Sequence, residues 1–485
     1  MKIKIDEICF DEEIYPRQKI SWKTVNAYVE ALKGGAVFPP IEVQRLRYKN
    51  GEVKVVCLDG KHRILAITEF NKLRDGVQPI HEIEAKFWKD DILDRGENLE
   101  ELRIRSAILN RRHGDRLTQS DLAAVVLRII RARPIERLNG VVTELAKKLG
   151  YAHSYISSLE TEEGKVSDIL AKRRLSRDFK IWRLLQLGYT QSEAGAIFGL
   201  KQRSVSDISE NVSSYIITIQ QQFARNHKSV EEIAKFNNLD IITTWSMVLQ
   251  GKDDLERFKL FGKPEYQNTE PRYFNVWNFT RRDPRLGMEY PGNIPGQIVM
   301  NILYYYTSQG ALVVDPMAGG GSTIDVCLIM NRRCRAYDIN PIREDIIKYD
   351  IKTGFPEKTK NCDLIFLDPP YWRLKMKEYN EIQTYESWLW FMKNLAEECF
   401  KTVKLGGYVA LILEPFFDRQ TEKRFLDLPF VVNKLFLDCG FNECQRIQVP
   451  LAPETSAHGL EYGRKGKIIL DQARDLIIYQ CLKKK

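Results

Sequence analysis

Over residues 1 to about 110 apolar positions fall in short β-like runs, Ile41 to Leu46, Val53 to Leu58 and Ile83 to Trp88, separated by helical patterns. From 111 to about 260 the period lengthens to that of amphipathic helices broken by small turns. Thr118, with Asp121 three residues on, predicts a capped helix start, and Leu122, Val125, Val126 and Ile129 form its apolar face. After a stretch rich in Gly, Pro and aromatics from Lys259 to Pro295, strand-like runs alternate with helical patterns to residue 485. That alternation predicts a parallel sheet covered by helices. The expected class is α/β overall, in three domains: a small α+β domain over 1–115, an all-helical region over 116–262 and a doubly wound domain over 263–485.

Length agrees, since 485 residues suit about three domains at roughly 100–200 residues each. With 44% hydrophobic and 29% charged residues, the composition excludes wholesale disorder. No apolar run approaches the roughly 18 residues of a membrane span, and MKIKIDEICF lacks a signal-peptide core, so no membrane partner and a cytoplasmic location are expected. The nine cysteines include no Cys-x-x-Cys pair and the six histidines no His-Glu-x-x-His, so neither a disulfide scaffold nor a metal site is expected. Net charge is +9, and residues 101 to 210 hold 20 Lys and Arg against 13 Asp and Glu. A basic segment of this kind suits a polyanion, although a solvated helical surface has the same composition.

The sharpest chemistry lies near the carboxyl terminus. The apolar run Ala311-Leu-Val-Val-Asp315 empties into Pro316-Met-Ala-Gly-Gly-Gly-Ser-Thr323. Gly319, Gly320 and Gly321 remove side chains where a ligand must touch backbone, and the helix that follows offers free N–H groups. A second run, Cys334 to Asp338, ends in an acid 19 residues after Gly319, near the roughly 20-residue offset at which a carboxylate grips ribose hydroxyls. A third, Cys362 to Asp368, leads into Pro369-Pro370-Tyr371-Trp372. The chain has no P-loop lysine, and the third glycine of the dinucleotide fingerprint is missing, so a nucleoside-bearing ligand other than ATP or NAD fits better.

Together these residues resemble the S-adenosylmethionine-dependent amino-methyltransferases of DNA, a resemblance that covers about residues 270 to 485. Asp315-Pro316-Met317-Ala318-Gly319-Gly320-Gly321-Ser322-Thr323 looks like the cofactor loop, with Met317 where phenylalanine is usual, and Asp368-Pro369-Pro370-Tyr371 looks like the catalytic tetrapeptide. By the same resemblance Tyr290 to Gln297, with Pro295, cradles the cofactor's amino-acid end, Asp338 holds the ribose and Asp350 lies near the adenine. The resemblance implies a Rossmann-like domain, S-adenosyl-L-methionine as cofactor and double-stranded DNA as substrate. Carbon-5 methylation needs a cysteine nucleophile, typically after proline, and no Pro-Cys pair occurs. In the family this chain resembles, an Asp-led tetrapeptide usually accompanies N6 of adenine rather than N4 of cytosine, and the segments Arg373 to Tyr385 and Phe416 to Lys434 are candidates for target recognition.

Upstream, Val53 to Leu58 leads into Asp59-Gly60-Lys61-His62-Arg63 and an apolar helix. Gly60 lets the chain turn, while Lys61, His62 and Arg63 sit at a helix start suited to a phosphate; a basic turn capping the helix is the plainer alternative. Residues 1 to about 125 resemble the ParB and sulfiredoxin-like superfamily, through this loop and Asn110-Arg-Arg-His-Gly-Asp-Arg-Leu-Thr118. The resemblance implies a nucleoside triphosphate as ligand. The loop has Lys61-His62-Arg63 in place of the double arginine of true partition proteins, which weighs against hydrolysis.

Two helix-turn-helix patterns follow. Ala146, Gly150 and Ile156 have the spacing of the first, with His153, Ser154, Tyr155 and Ser157 facing a major groove; Gly195, Gly199 and Val205 repeat it, presenting Lys201, Gln202, Arg203 and Ser204. The combination suits a DNA-modifying protein of phage or other mobile-element origin. An RNA methyltransferase and a partition or regulatory protein with a silent methyltransferase domain are the rivals. The sequence sets no oligomeric state, and a dimer is compatible with it.

Overall fold

In a computed structural model, the structure describes residues 1–17, 19–73, 78–112, 117–138, 140–225, 228–290, 292–370, 384–418, 424–450, 465 and 473–483. These fall into two compact units, Met1–Arg177 and Asp178–Lys485.

In the first unit the β-like runs become the strands Ile41–Arg47, Val53–Asp59 and Glu82–Phe87. They belong to a mixed six-stranded sheet in the order Lys2–Lys4, Glu82–Phe87, Ile41–Arg47, Val53–Asp59, Ile8–Cys9, with Leu93–Asp94 paired to Ile41–Arg47. Helices Trp22–Lys33 and Lys61–Phe70 place Val25, Val29, Leu32, Ile64, Ile67 and Phe70 against Val43, Cys57, Ile83 and Ala85 on one face. Leu102 and Leu109 of helix Arg95–Arg112 meet Leu46, Val56 and Leu58 on the other. Thr118 and Asp121 form the predicted capping box of helix Gln119–Ala132, whose face of Leu122, Val125, Val126 and Ile129 enters a helical core. The region is not wholly helical: Glu160–Thr161 and Gly164–Lys165 form a two-stranded ribbon, because Gly164 at φ +108° allows a tight reversal.

The second unit is built on a seven-stranded sheet in the order Ile347–Lys348, Arg333–Asp338, Leu312–Asp315, Cys362–Leu367, Val403–Leu413, Ala473–Gln480, Asn442–Pro450. The strands are parallel except Ala473–Gln480, which runs antiparallel to both neighbours. From Leu312–Asp315 the chain steps outward through Arg333–Asp338 and Ile347–Lys348, then returns to the opposite side through Cys362–Leu367. The crevice between Leu312–Asp315 and Cys362–Leu367 is therefore the topological switch point, where an open α/β sheet binds its ligand. Trp388, Phe391, Met392 and Leu395 of helix Tyr385–Thr402, with Val432 and Phe436 of helix Leu428–Cys439, cover one face of Val314, Ile365, Leu367, Val409 and Leu411.

The helices over 178–261 belong to this second unit, where buried arginines tie them to the sheet. Arg335 donates to the carbonyls of Leu187 (3.3 Å) and Gly188 (3.0 Å), and lies 4.0 Å over the Tyr189 ring. Fully buried Arg332 pairs with Asp254 at 2.6 Å, and Arg257 donates to Ile329 O at 2.6 Å. Without the helical segment, buried Arg335 would lose the Leu187 and Gly188 carbonyls and the Glu193 carboxylate, which is costly.

Candidate active site

The predicted strand ends carry the site. Paired Val313 to Leu364 and Val314 to Ile365, two adjacent parallel strands end side by side and deliver Asp315 and Asp368 to one edge. Arg333–Asp338 pairs with Leu312–Asp315 on its other side and delivers Asp338 there too. One cavity is lined by all three carboxylates, together with Met317, Ala318, Gly319, Thr323, Phe366 and Pro370. Tyr290, Gly292, Asn293 and Ile294 line it from the irregular segment before helix Gly296–Tyr306. Among the described lining residues there is no lysine or arginine.

Each glycine of the bend has its own reason. Gly319 (φ +46°) and Gly321 (φ +77°) adopt left-handed backbone, which side chains disfavour. Gly320 is needed for space: a Cβ there would lie 2.6 Å from Met288 O and 2.7 Å from Asn293 Nδ2. The 286–293 segment is thus strapped onto the bend, with Met288 N–H donating to Gly320 O at 2.8 Å and Ser322 Oγ to Asn293 Oδ1 at 3.2 Å. Asp338 accepts the N–H of Gly319 on one oxygen (2.9 Å) and that of Asn340 on the other (2.9 Å), leaving lone pairs on both for a diol. Asp315 accepts from Met317 N–H at 3.0 Å and from the Thr323 hydroxyl. Burial, with Asp368 and Asp338 nearby, nevertheless pushes its carboxyl up to about 7.

The bend and the strap share an ionic clamp that sequence reasoning missed. Asp325, on helix Ser322–Ile329, accepts the N–H of Gly287 at 2.8 Å and pairs with Arg343 at 2.8 Å. Arg343 pairs with Asp345 at 2.7 Å and packs against Gly321. Arg183, from the helical segment, reaches Asp345 at 2.9 Å and Asp325 at 3.4 Å. Isolated arginines and aspartates up to 162 positions apart carry no periodic signal, so only the fold reveals them. Trp388 was missed as well: its buried indole donates to Pro370 O at 3.0 Å and anchors the corner after Asp368.

Not every expected residue lines the cavity. Pro316, Gly320 and Gly321 shape the bend from behind, and Pro295 caps helix Gly296–Tyr306 and lines a neighbouring groove. Asp350 caps the short turn Ile351–Thr353 through Lys352 N–H (3.0 Å) and is not among the lining residues. Pro369 is buried beside Asp368. Tyr371, Trp372 and the candidate recognition positions 373–383 lie outside the described residues, as do 419–423. In the second candidate segment, Phe416–Asp418 and Arg424–Leu426 form a hairpin.

In the first unit, Gly60, Lys61, His62 and Arg63 line a cavity with Tyr15, Arg17, Asp59 and Asn110. Gly60 stands at φ +111°, and a Cβ there would lie 2.3 Å from Ile41 Cγ2. The three basic residues line this cavity together, each with contacts of its own. Arg63 is paired with Asp59 at 2.6 Å and donates to the carbonyls of Pro39 and Pro40. His62 Nε2 accepts from Ser21 N–H at 3.0 Å, and the Lys61 ammonium lies 5.1 Å over Phe10 and 5.2 Å over Tyr15. The buried acid Asp59 captures the arginine, a pairing visible in sequence only as an i, i+4 spacing.

At each of the two candidate helix-turn-helix segments the chain forms a pair of helices joined at a glycine. Helices Val141–Leu149 and His153–Ser158 turn at Gly150 (φ +72°), with Ala146 and Ile156 buried and His153, Ser154 and Tyr155 exposed. Helices Gln191–Ile197 and Gln202–Arg225 turn at Gly199 (φ +63°). A Cβ on Gly195 would lie 3.3 Å from Val205 Cγ2, and Lys201, Gln202 and Arg203 are exposed.

The glycine bend and Asp338 fall in the one stretch for which a family is matched. The DNA methylase family model matches residues 168–349. The match takes in the bend and Asp338 and ends before Asp368. No curated protein compared with the chain matches it. Among solved structures, the chain is similar to a Thermus thermophilus protein assigned as a DNA modification methylase, solved with S-adenosyl-L-methionine (18% identity over 28% of this chain and 53% of that one, TM-score 0.21). It is similar also to TrmN from Thermus thermophilus (15%, 40% and 50%, TM-score 0.26) and to an S-adenosylmethionine-dependent methyltransferase from Methanosarcina mazei (13%, 38% and 98%, TM-score 0.26). The chain spans about half the length of the first of these. Among the described residues no helix is long and apolar enough to cross a membrane.

Proposed function

We propose that the protein is an S-adenosyl-L-methionine-dependent DNA methyltransferase that modifies an exocyclic base amine, N6 of adenine in preference to N4 of cytosine. The observation that carries this reading is the single cavity at the switch point lined by the glycine bend, Asp338 and the Asp368–Pro370 corner. The cofactor fits what the chain offers. Three carboxylates without a lining cation suit a sulfonium and an ammonium, the bend exposes backbone to a ligand, and Asp338 keeps lone pairs for ribose hydroxyls. When bound, the cofactor supplies an electrophilic methyl group.

The chain's residues then act on the amine, whose lone pair is delocalised into the base. Asp368 and the carbonyl oxygen of Pro369 would accept hydrogen bonds from its two N–H groups, favouring a pyramidal nitrogen with a localised lone pair. Trp388, donating to Pro370 O, fixes the corner that carries these acceptors. Tyr371, by family resemblance, stacks on the extruded base. The preference for adenine rests on the Asp-led tetrapeptide. His153, Ser154 and Tyr155 with Lys201, Gln202 and Arg203 bind the duplex, and the ParB-like amino-terminal unit takes a nucleotide at the Gly60 loop, supported by the cavity beside it.

Replacing Asp368 with Ala removes methyl transfer to duplex DNA, measured with a radiolabelled methyl donor, while calorimetry finds the cofactor still bound. Transfer that survives the substitution overturns the mechanism.

A further inference from the structure

Beside the acidic cavity lies a second groove of opposite character. Arg281, Arg282 and Arg474 line it with Trp277, Phe279 and Thr280, and no described lining residue is acidic. Asn293 lines both spaces. Their position on the sheet is also shared. Val449 and Pro450 end a strand parallel to Val403–Leu413, and their partners Arg474 and Ala473 begin the antiparallel strand between them. The basic groove therefore opens on the same carboxyl edge as Asp315, Asp338 and Asp368.

We propose that this groove seats the phosphate backbone of the DNA strand next to the base being methylated. The proposal rests on the methyltransferase reading and names where its substrate lies. A sulfonium is drawn to the acidic cavity and a polyanion is repelled from it, so a strand delivering a base to Asp368 needs cations immediately alongside. The three arginines divide that task. Arg282 is fixed in place, donating through Nη2 to the carbonyls of Leu286 (3.2 Å), Gly287 (2.9 Å) and Met288 (2.9 Å), and so ties the groove to the strap over the glycine bend. Arg474, its side chain 14% exposed, forms an ion pair with Glu414 at 3.8 Å. Arg281 is exposed, without a described side-chain partner, while its own backbone carbonyl is held by Gln297 Nε2 at 2.7 Å. Arginine on a fixed backbone suits a phosphate, whose oxygens match the planar fork.

The test uses the full chain with Arg281→Gln and, separately, Arg474→Gln. Duplex affinity is measured by fluorescence anisotropy across a salt series, and cofactor affinity by calorimetry. Each variant is expected to weaken duplex binding several-fold at low salt and to reduce the log–log salt slope by about 0.9, the signature of one lost phosphate contact, with cofactor affinity unchanged. An unchanged slope for R281Q, whose exposed side chain makes misfolding no explanation, overturns the proposal. So does a loss of cofactor affinity in place of duplex affinity, which would assign the arginines to the cofactor's carboxylate. A wild-type chain that takes up no cofactor overturns the methyltransferase reading itself, a result distinct from either.

Discussion

Asp315 shows how one residue's chemistry depends on its neighbours. As the last residue of a buried strand it is desolvated, and that burial, with smaller contributions from Asp368 and Asp338, outweighs the hydrogen bonds from Thr323 and Met317 N–H that favour its ionised form. Its folded pKa, about 7, exceeds its ordinary 3.8, so the carboxyl stabilises the fold below about 3.8 and that contribution is lost as pH rises through 7. A cationic cofactor prefers the ionised form. Cofactor affinity is therefore expected to rise between pH 6 and 8, by at most about tenfold per unit, and calorimetry of Asp315→Asn should find a flatter profile. In sequence Asp315 was legible as a strand end before glycines; its coupling to Asp368, 53 positions on, was not.

Among elements, the strap over residues 286–293 and the glycine bend form a pair that secondary structure alone does not describe. The described residues of neither segment are helix or strand, yet both segments are held by Asp325, Arg343, Asp345 and Arg183 at side-chain exposures of 17% or less. Removing one member of a buried cluster leaves an uncompensated charge, at a cost of roughly 3–5 kcal/mol. Asp325→Ala is expected to lower thermal stability and to weaken cofactor binding at least about tenfold, since the Gly287 N–H loses its acceptor as well. Asp325→Asn keeps an acceptor for that N–H and should recover part of the affinity, measured by calorimetry on the two variants side by side. Wild-type cofactor affinity in both would mean that the clamp serves stability alone.

For the whole molecule, the division at 177/178 puts the second candidate helix-turn-helix segment in the same unit as the candidate active site. Leu187, Gly188 and Glu193, just before or within its first helix, bind Arg335 and Lys358, and Arg335 lies on the strand that ends in Asp338. Lys201→Gln and Arg203→Gln are expected to weaken duplex binding, with a deficit that shrinks as salt rises. A deficit independent of salt would point to damaged packing.

Local pattern determined much of this protein. The strands around Val53, Val313, Cys334 and Leu364, the capping box at Thr118, both helical turns and the three-glycine bend are each set by residues within a few positions of one another, where periodicity and backbone preference act. The tertiary structure decided what long-range electrostatics and burial control. It brought three acids into one cavity and placed an arginine-lined groove next to it, turned Arg63 inward onto Asp59, and bound the helices over 178–261 to the sheet. Charges separated by tens to hundreds of residues leave no period in a sequence, and they acquire partners only when the chain folds.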